Sequence, residues 1–111
     1  MTTPPAAKAE SVDLFDLWIV EADRRRELTD RIGGVVRQLL APRPGFVFAQ
    51  IYESEGNEVL LHVRTRTAAD RRAILDLAED QRAYRELRGM ATSHAGFYRL
   101  VDSVGSAPSG G

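Results

Sequence analysis

The run from Phe46 to Thr65, FVFAQIYESEGNEVLLHVRT, holds two strand-like segments separated by Glu55, Gly56 and Asn57. Val47, Ala49 and Ile51 alternate with Phe48, Gln50 and Tyr52, and Val59, Leu61 and Val63 alternate with Leu60, His62 and Arg64, as a period-two strand requires. The intervening Gly and Asn carry turn chemistry, so the two segments read as an antiparallel hairpin. One face of each strand is apolar and the other polar and aromatic, which assigns the two faces different surroundings.

Working outward, Leu14 to Glu21 reads as a first strand and Asp23 as the N-cap of a helix reaching about Leu40, with Leu28, Ile32, Val35, Val36, Leu39 and Leu40 at helical spacing. Pro42 and Pro44 end that helix. Within it, Gly33 and Gly34 each cost about 1 kcal/mol relative to alanine, a cost that close helix-to-sheet packing or room for a ligand would offset. Beyond the hairpin, Thr67 and Asp70 have capping-box spacing and open a second helical region through Leu87, closed by Gly89. A last strand is expected over Gly96 to Asp102. The order βαββαβ is that of an α+β, ferredoxin-like domain with a four-stranded antiparallel sheet and both helices on one face. The bare face is expected to be apolar, and pairing with a second copy is the simplest way to cover it.

Composition narrows the function classes. The 111 residues suit one domain, expected over residues 12–104, with disordered arms at 1–11 and 105–111. Net charge is −1 and no long apolar run occurs, which argues against nucleic-acid and membrane partners. There is no cysteine, which removes disulfides, thiolate metal sites and thiol nucleophiles and fits a reducing cytoplasm. Phosphate-binding loop, nucleophile elbow and dinucleotide fingerprint are all missing. An RNA-recognition domain shares the strand order, but its basic-aromatic signature belongs on the third strand, where Val59 to Thr65 has no aromatic residue.

Pro44-Gly45-Phe46 before the second strand, the hairpin around Gly56, the run Val59 to Thr65 leading to Thr67-Ala68-Ala69, and Phe97-Tyr98 near the end together resemble the antibiotic biosynthesis monooxygenase family. The resemblance covers about Leu14 to Val104. It implies a dimeric α+β barrel, a substrate held between sheet and helices, and the opposite sheet face turned to the partner. On that basis Asp16, Trp18, Phe48, Gln50, Tyr52, His62 and Arg64 are expected to line the pocket. Phe15, Leu17, Ile19, Val47, Ala49, Ile51, Val59, Leu61 and Val63 are expected to form the barrel.

The family's better-known members carry an Asn and a Trp where this chain has Leu60 and Arg64. Some polyketide-oxidising members have a His where it has Tyr52, and the haem-degrading residues are replaced near Trp18 and Tyr84 to Glu86. The implied activity is cofactor-independent oxygenation of a small aromatic, polyketide-type phenol or anthrone, with molecular oxygen as cosubstrate; a loosely bound flavin stays open. His62 is the candidate base, oriented by a carboxylate such as Asp16, with Tyr52 and Arg64 to hold the developing anion. Trp18, Phe48 and Tyr98 are candidate apolar walls, and Gln50 a polar one. Structural readings stand beside these: a buried hydrogen bond for His62, an ion pair with Asp70 or another early-helix acid for Arg64, and core packing for the aromatics. An oxygen-independent cyclase or isomerase, or a non-catalytic binding protein, would use the same scaffold.

Overall fold

A computed structural model describes residues 12–105. The expected N-terminal arm, and the expected C-terminal arm from residue 106 onward, lie outside the described residues. Four antiparallel strands, β1 (Val12–Ile19), β2 (Phe46–Glu53), β3 (Glu58–Thr65) and β4 (Thr92–Tyr98), form one sheet in the order β2-β3-β1-β4. Helix α1 (Arg25–Val35) links β1 to β2, and α2 (Ala68–Glu79) and α3 (Arg82–Met90) link β3 to β4. This is the expected ferredoxin-like arrangement. No described helix is long and apolar enough to cross a membrane.

The ends of the elements differ from the sequence reading for local reasons. Asp23 lies inside a single 3₁₀ turn, Ala22–Arg24, and caps nothing; Arg24 occupies the N-cap of α1 without a side-chain cap. The last turn of the first helix widens into a π-helical segment, Val36–Leu40. Thr67 does cap α2, its Oγ1 accepting from the Asp70 amide at 3.0 Å. The second helical region is broken at Asp80 and Gln81 rather than continuous. Gly89 lies within α3, whose C-cap is Ala91, so β4 starts at Thr92 and ends at Tyr98, earlier than expected.

Two contacts fix how the elements dock. Glu53 at the end of β2 accepts from Thr29 Oγ1 at 2.6 Å and pairs with Arg25 at 3.3 Å, tying α1 to the sheet. A Cβ on Gly33 would come within 2.9 Å of the Arg37 guanidinium one turn on and make ordinary contact with Ile51 Cδ1 at 3.8 Å, whereas a Cβ on Gly34 would meet open space. The sheet therefore demands a glycine at neither position. Leu28, Ile32, Val36 and Leu40 from α1 and its extension meet Val59, Leu61 and Val63 of β3, with Ile74, Ala78 and Leu87 closing the core.

Candidate functional site

Strand pairing sets which side chains share a face. Asp16 opposes Leu61 and Trp18 opposes Val59, so both point with β3's apolar residues toward the helices. On β2, Ala49 opposes Val63 and Ile51 opposes Leu61, on that same face. Phe15 opposes His62 and Asp13 opposes Arg64 on the other, open face. This corrects the expected division. Val59, Leu61, Val63, Ala49 and Ile51 belong to the core under the helices and not to a barrel. Val47 is the extra residue of an irregularity between Phe46 and Phe48 and is exposed. The open face mixes polar and apolar character, His62, Arg64 and Gln50 standing among Phe15, Leu17 and Leu60.

The expected site residues accordingly divide in two. Asp16 and Trp18 line a cavity between sheet and helices. His62, Arg64, Tyr52, Phe48, Gln50 and Tyr98 lie on the open face. There, Asp13, which the sequence reading passed over, accepts from His62 Nε2 at 2.8 Å, from Arg64 Nε at 2.8 Å and from Arg64 Nη2 at 3.2 Å. The Asp13 carboxyl is drawn below the usual carboxylate range: burial pushes it up, but the hydrogen bonds from Arg64 and His62 outweigh that. The His62 ring stacks on Phe15 at 4.1 Å and meets the edge of Phe48 at 5.0 Å. Tyr98 meets Phe15 edge-on at 5.3 Å and lies over Gly96, where a Cβ would come within 2.7 Å of its ring. Tyr52 donates to Gln50 at 2.9 Å. Asp16 is thus not the orienter of His62, because it points through the sheet the other way.

The sheet–helix cavity has a volume of about 30 Å³, room for one or two water molecules. Its walls are Leu, Ile, Val and Ala side chains, with Trp18, Tyr84, Thr65, Asp16 and Arg71 as the residues that bear polar groups. Asp16 is 3% exposed, and its Oδ1 is buried without a hydrogen-bond partner. Trp18 Nε1 is likewise buried without one. Burial pushes the Asp16 carboxyl up to about 6, against the lowering influence of the neighbouring Trp18 indole and the charges of Arg88 and His94. Burial, followed by the Asp16 charge, raises the Tyr84 phenol, which keeps it a neutral hydroxyl. The Tyr84 ring also meets Trp18 edge-on at 6.2 Å. A buried carboxylic acid in an apolar pocket, pushed up to about 6 and set beside the Trp18 indole N–H, is suited to accept a proton and to steady the resulting anion. Among the described residues no group of three His, Cys, Asp or Glu side chains is placed to hold a metal.

No protein-family model matches this sequence, and neither does any curated protein. Solved structures do match it. An asparagine-to-alanine variant of SnoaB, a cofactor-independent oxygenase from Streptomyces nogalater, superposes with a TM-score of 0.73 at 18% identity, over 86% of this chain and 98% of that one. The fold is that of the antibiotic biosynthesis monooxygenases. A Nitrosomonas europaea protein assigned to that group superposes with a TM-score of 0.65 at 15% identity, over 90% of this chain and 94% of that one. A protein from Shewanella loihica assigned as a monooxygenase gives 0.66 at 17% identity, over 85% and 97%.

Proposed function

We propose that this chain is a cofactor-independent, monooxygenase-like tailoring enzyme that oxidises an aromatic polyketide-type phenol or anthrone in the sheet–helix cavity. The observation that carries the reading is the buried Asp16 carboxyl among apolar walls, pushed up to about 6 with the Trp18 indole beside it. The likeness to SnoaB, itself a cofactor-independent oxygenase, supports it.

In this reading Asp16 replaces His62 as the base. Asp16 takes a proton from the ring carbon or hydroxyl, and the indole N–H of Trp18 steadies the oxyanion. For an anthrone, the carbanion gives an electron to oxygen and the two radicals combine as a peroxide, which takes back the first proton. Asp16 then removes the second hydrogen of that carbon as the O–O bond breaks, and returns it to the departing hydroxide. The sum is anthrone plus oxygen to quinone plus water, with Asp16 unchanged. A ring system is far larger than about 30 Å³, so in this reading binding moves the helices outward.

Homodimerisation through the open sheet face belongs to the same proposal, since Phe15, Leu17, Ile19, Phe48 and Leu60 sit there uncovered by any helix. The lack of cysteine favours a cytoplasmic setting. The second reading is an oxygen-independent cyclase or isomerase, or a non-catalytic binding protein on the same scaffold; the latter is favoured by β3 offering the cavity only Leu61, Val63 and Thr65, without an Asn or Trp. Oxygen uptake by metal-stripped protein on a panel of hydroxyanthrones and naphthols separates the two. Uptake matched by quinone supports oxygenation; anaerobic conversion of the same compounds supports the cyclase.

A further inference from the structure

Of the residues lining the cavity only Asp16 and Arg71 carry charge. Arg71 is the fourth residue of α2, and its guanidinium carbon lies 3.7 Å from the centre of the Phe97 ring. Phe97 is 55% exposed, so this stack marks the edge of the cavity where it meets solvent. Among the described residues Arg71 forms no ion pair, unlike Arg64, which pairs with Asp13, and Arg25, which pairs with Glu53. A ring face holds a guanidinium by attraction without consuming its fork of N–H donors, which stays available for a bidentate anion. Phe97 pairs across β1 and β4 with Leu14, and Asp16 pairs with Ala95, two positions farther along both strands. At the ordinary strand rise the Leu14–Phe97 and Asp16–Ala95 positions are therefore about 7 Å apart along the sheet.

We propose that Arg71 is a specificity-determining residue that seats a carboxylate of the aromatic substrate, about 7 Å along the sheet from the group whose proton Asp16 accepts. This assignment rests on the cavity being the site proposed above. It names the substrate class more narrowly: a planar aromatic acid, its anionic end at the edge beside Phe97 and its reacting carbon or hydroxyl at the buried end. Arginine suits the role better than lysine because its flat fork stacks on the ring and grips both carboxylate oxygens together.

The test compares binding of 2-anthracenecarboxylate and its neutral isostere 2-anthracenecarboxamide by calorimetry at pH 7.5 and low salt, without chemistry. The wild-type protein is expected to prefer the carboxylate at least about tenfold, in the range of a charge-assisted pair. Arg71→Gln is expected to bring the two within about twofold, and Arg71→Lys to retain part of the preference. Equal affinities in the wild type, a preference that survives in Arg71→Gln, or binding of neither probe would overturn the assignment. Oxygen uptake is read separately on a hydroxyanthrone carboxylate. A carboxylate preference without uptake leaves Arg71 in this role and removes the oxygenase reading, whereas uptake without the preference does the reverse.

Discussion

Asp13 and Asp16 stand three residues apart on one strand, point to opposite faces of the sheet, and have carboxyl groups driven in opposite directions. Asp13 is held low by Arg64 and His62 against the effect of burial, and Asp16 is pushed up to about 6 by burial that the neighbouring Trp18 indole and Arg88 only partly offset. The first is a satisfied ion pair. The second is a group whose cost to folding is understandable if it serves chemistry.

That difference sets the pH dependence of stability. The raised Asp16 carboxyl costs nothing below its unfolded value of 3.8, and its penalty grows as pH rises from there through about 6, to roughly 3 kcal/mol above it. Asp16→Asn is therefore expected to be more stable than wild type at pH 8, with the gap closing toward pH 4. Urea denaturation at the two pH values measures it, and an equal gap at both would contradict the burial argument. Asp13 acts with the opposite sign. Its stabilisation is present above 3.8 and is lost as pH falls below it, so Asp13→Asn is expected to destabilise at pH 7 and to matter little near pH 2.

His62→Ala removes a ring stacked on Phe15 and edged by Phe48, together with one of the donors to Asp13. The expected loss is about 1–3 kcal/mol of stability, read as a lower melting temperature. Turnover per folded molecule is expected to persist, because the ring faces away from the cavity. Abolished turnover in a folded variant would return the base to His62.

Leu17 and Leu60 face each other across β1 and β3 on the open face. If that face is the dimer interface, Leu60→Glu is expected to give monomer in light scattering, whereas a change at a free surface would leave the mass as it was. Leu61 is unsuitable for this purpose, being 7% exposed and part of the core.

Gly45 has φ +85°, and a Cβ there would fall 2.1 Å from Asp70 Cγ. Gly45→Ala is expected to cost about 2 kcal/mol or more, from left-handed strain added to displacement of Asp70 at the start of α2. A shift in urea midpoint measures it.

The irregularity at Val47 and the start of β4 at Thr92 broke the expected pattern, but the βαββαβ element order, the hairpin, the Thr67 cap and the period-two alternation of β1 and β3 were legible because each depends on neighbours in sequence. The phase between strands was not. Whether Asp16 shares a face with His62 or with Leu61 depends on antiparallel register, and a one-residue difference moves a side chain through the sheet. Val59, Leu61 and Val63 were apolar enough for a core or for an interface, and only the strand register together with their packing against Leu28, Ile32 and Ile74 separates the two. Asp13 carried no signal of its own beyond its distance from Asp16, an odd number of positions that puts the two on opposite faces.

Asp16 as proton acceptor is tested by the pH profile of kcat/KM for oxygen uptake on a hydroxyanthrone, in wild type and in Asp16→Asn. Wild-type activity is expected to rise with an inflection near 6 as the carboxyl ionises, and Asp16→Asn to lose at least about 100-fold in kcat/KM with that inflection gone. An unchanged profile in Asp16→Asn would contradict it.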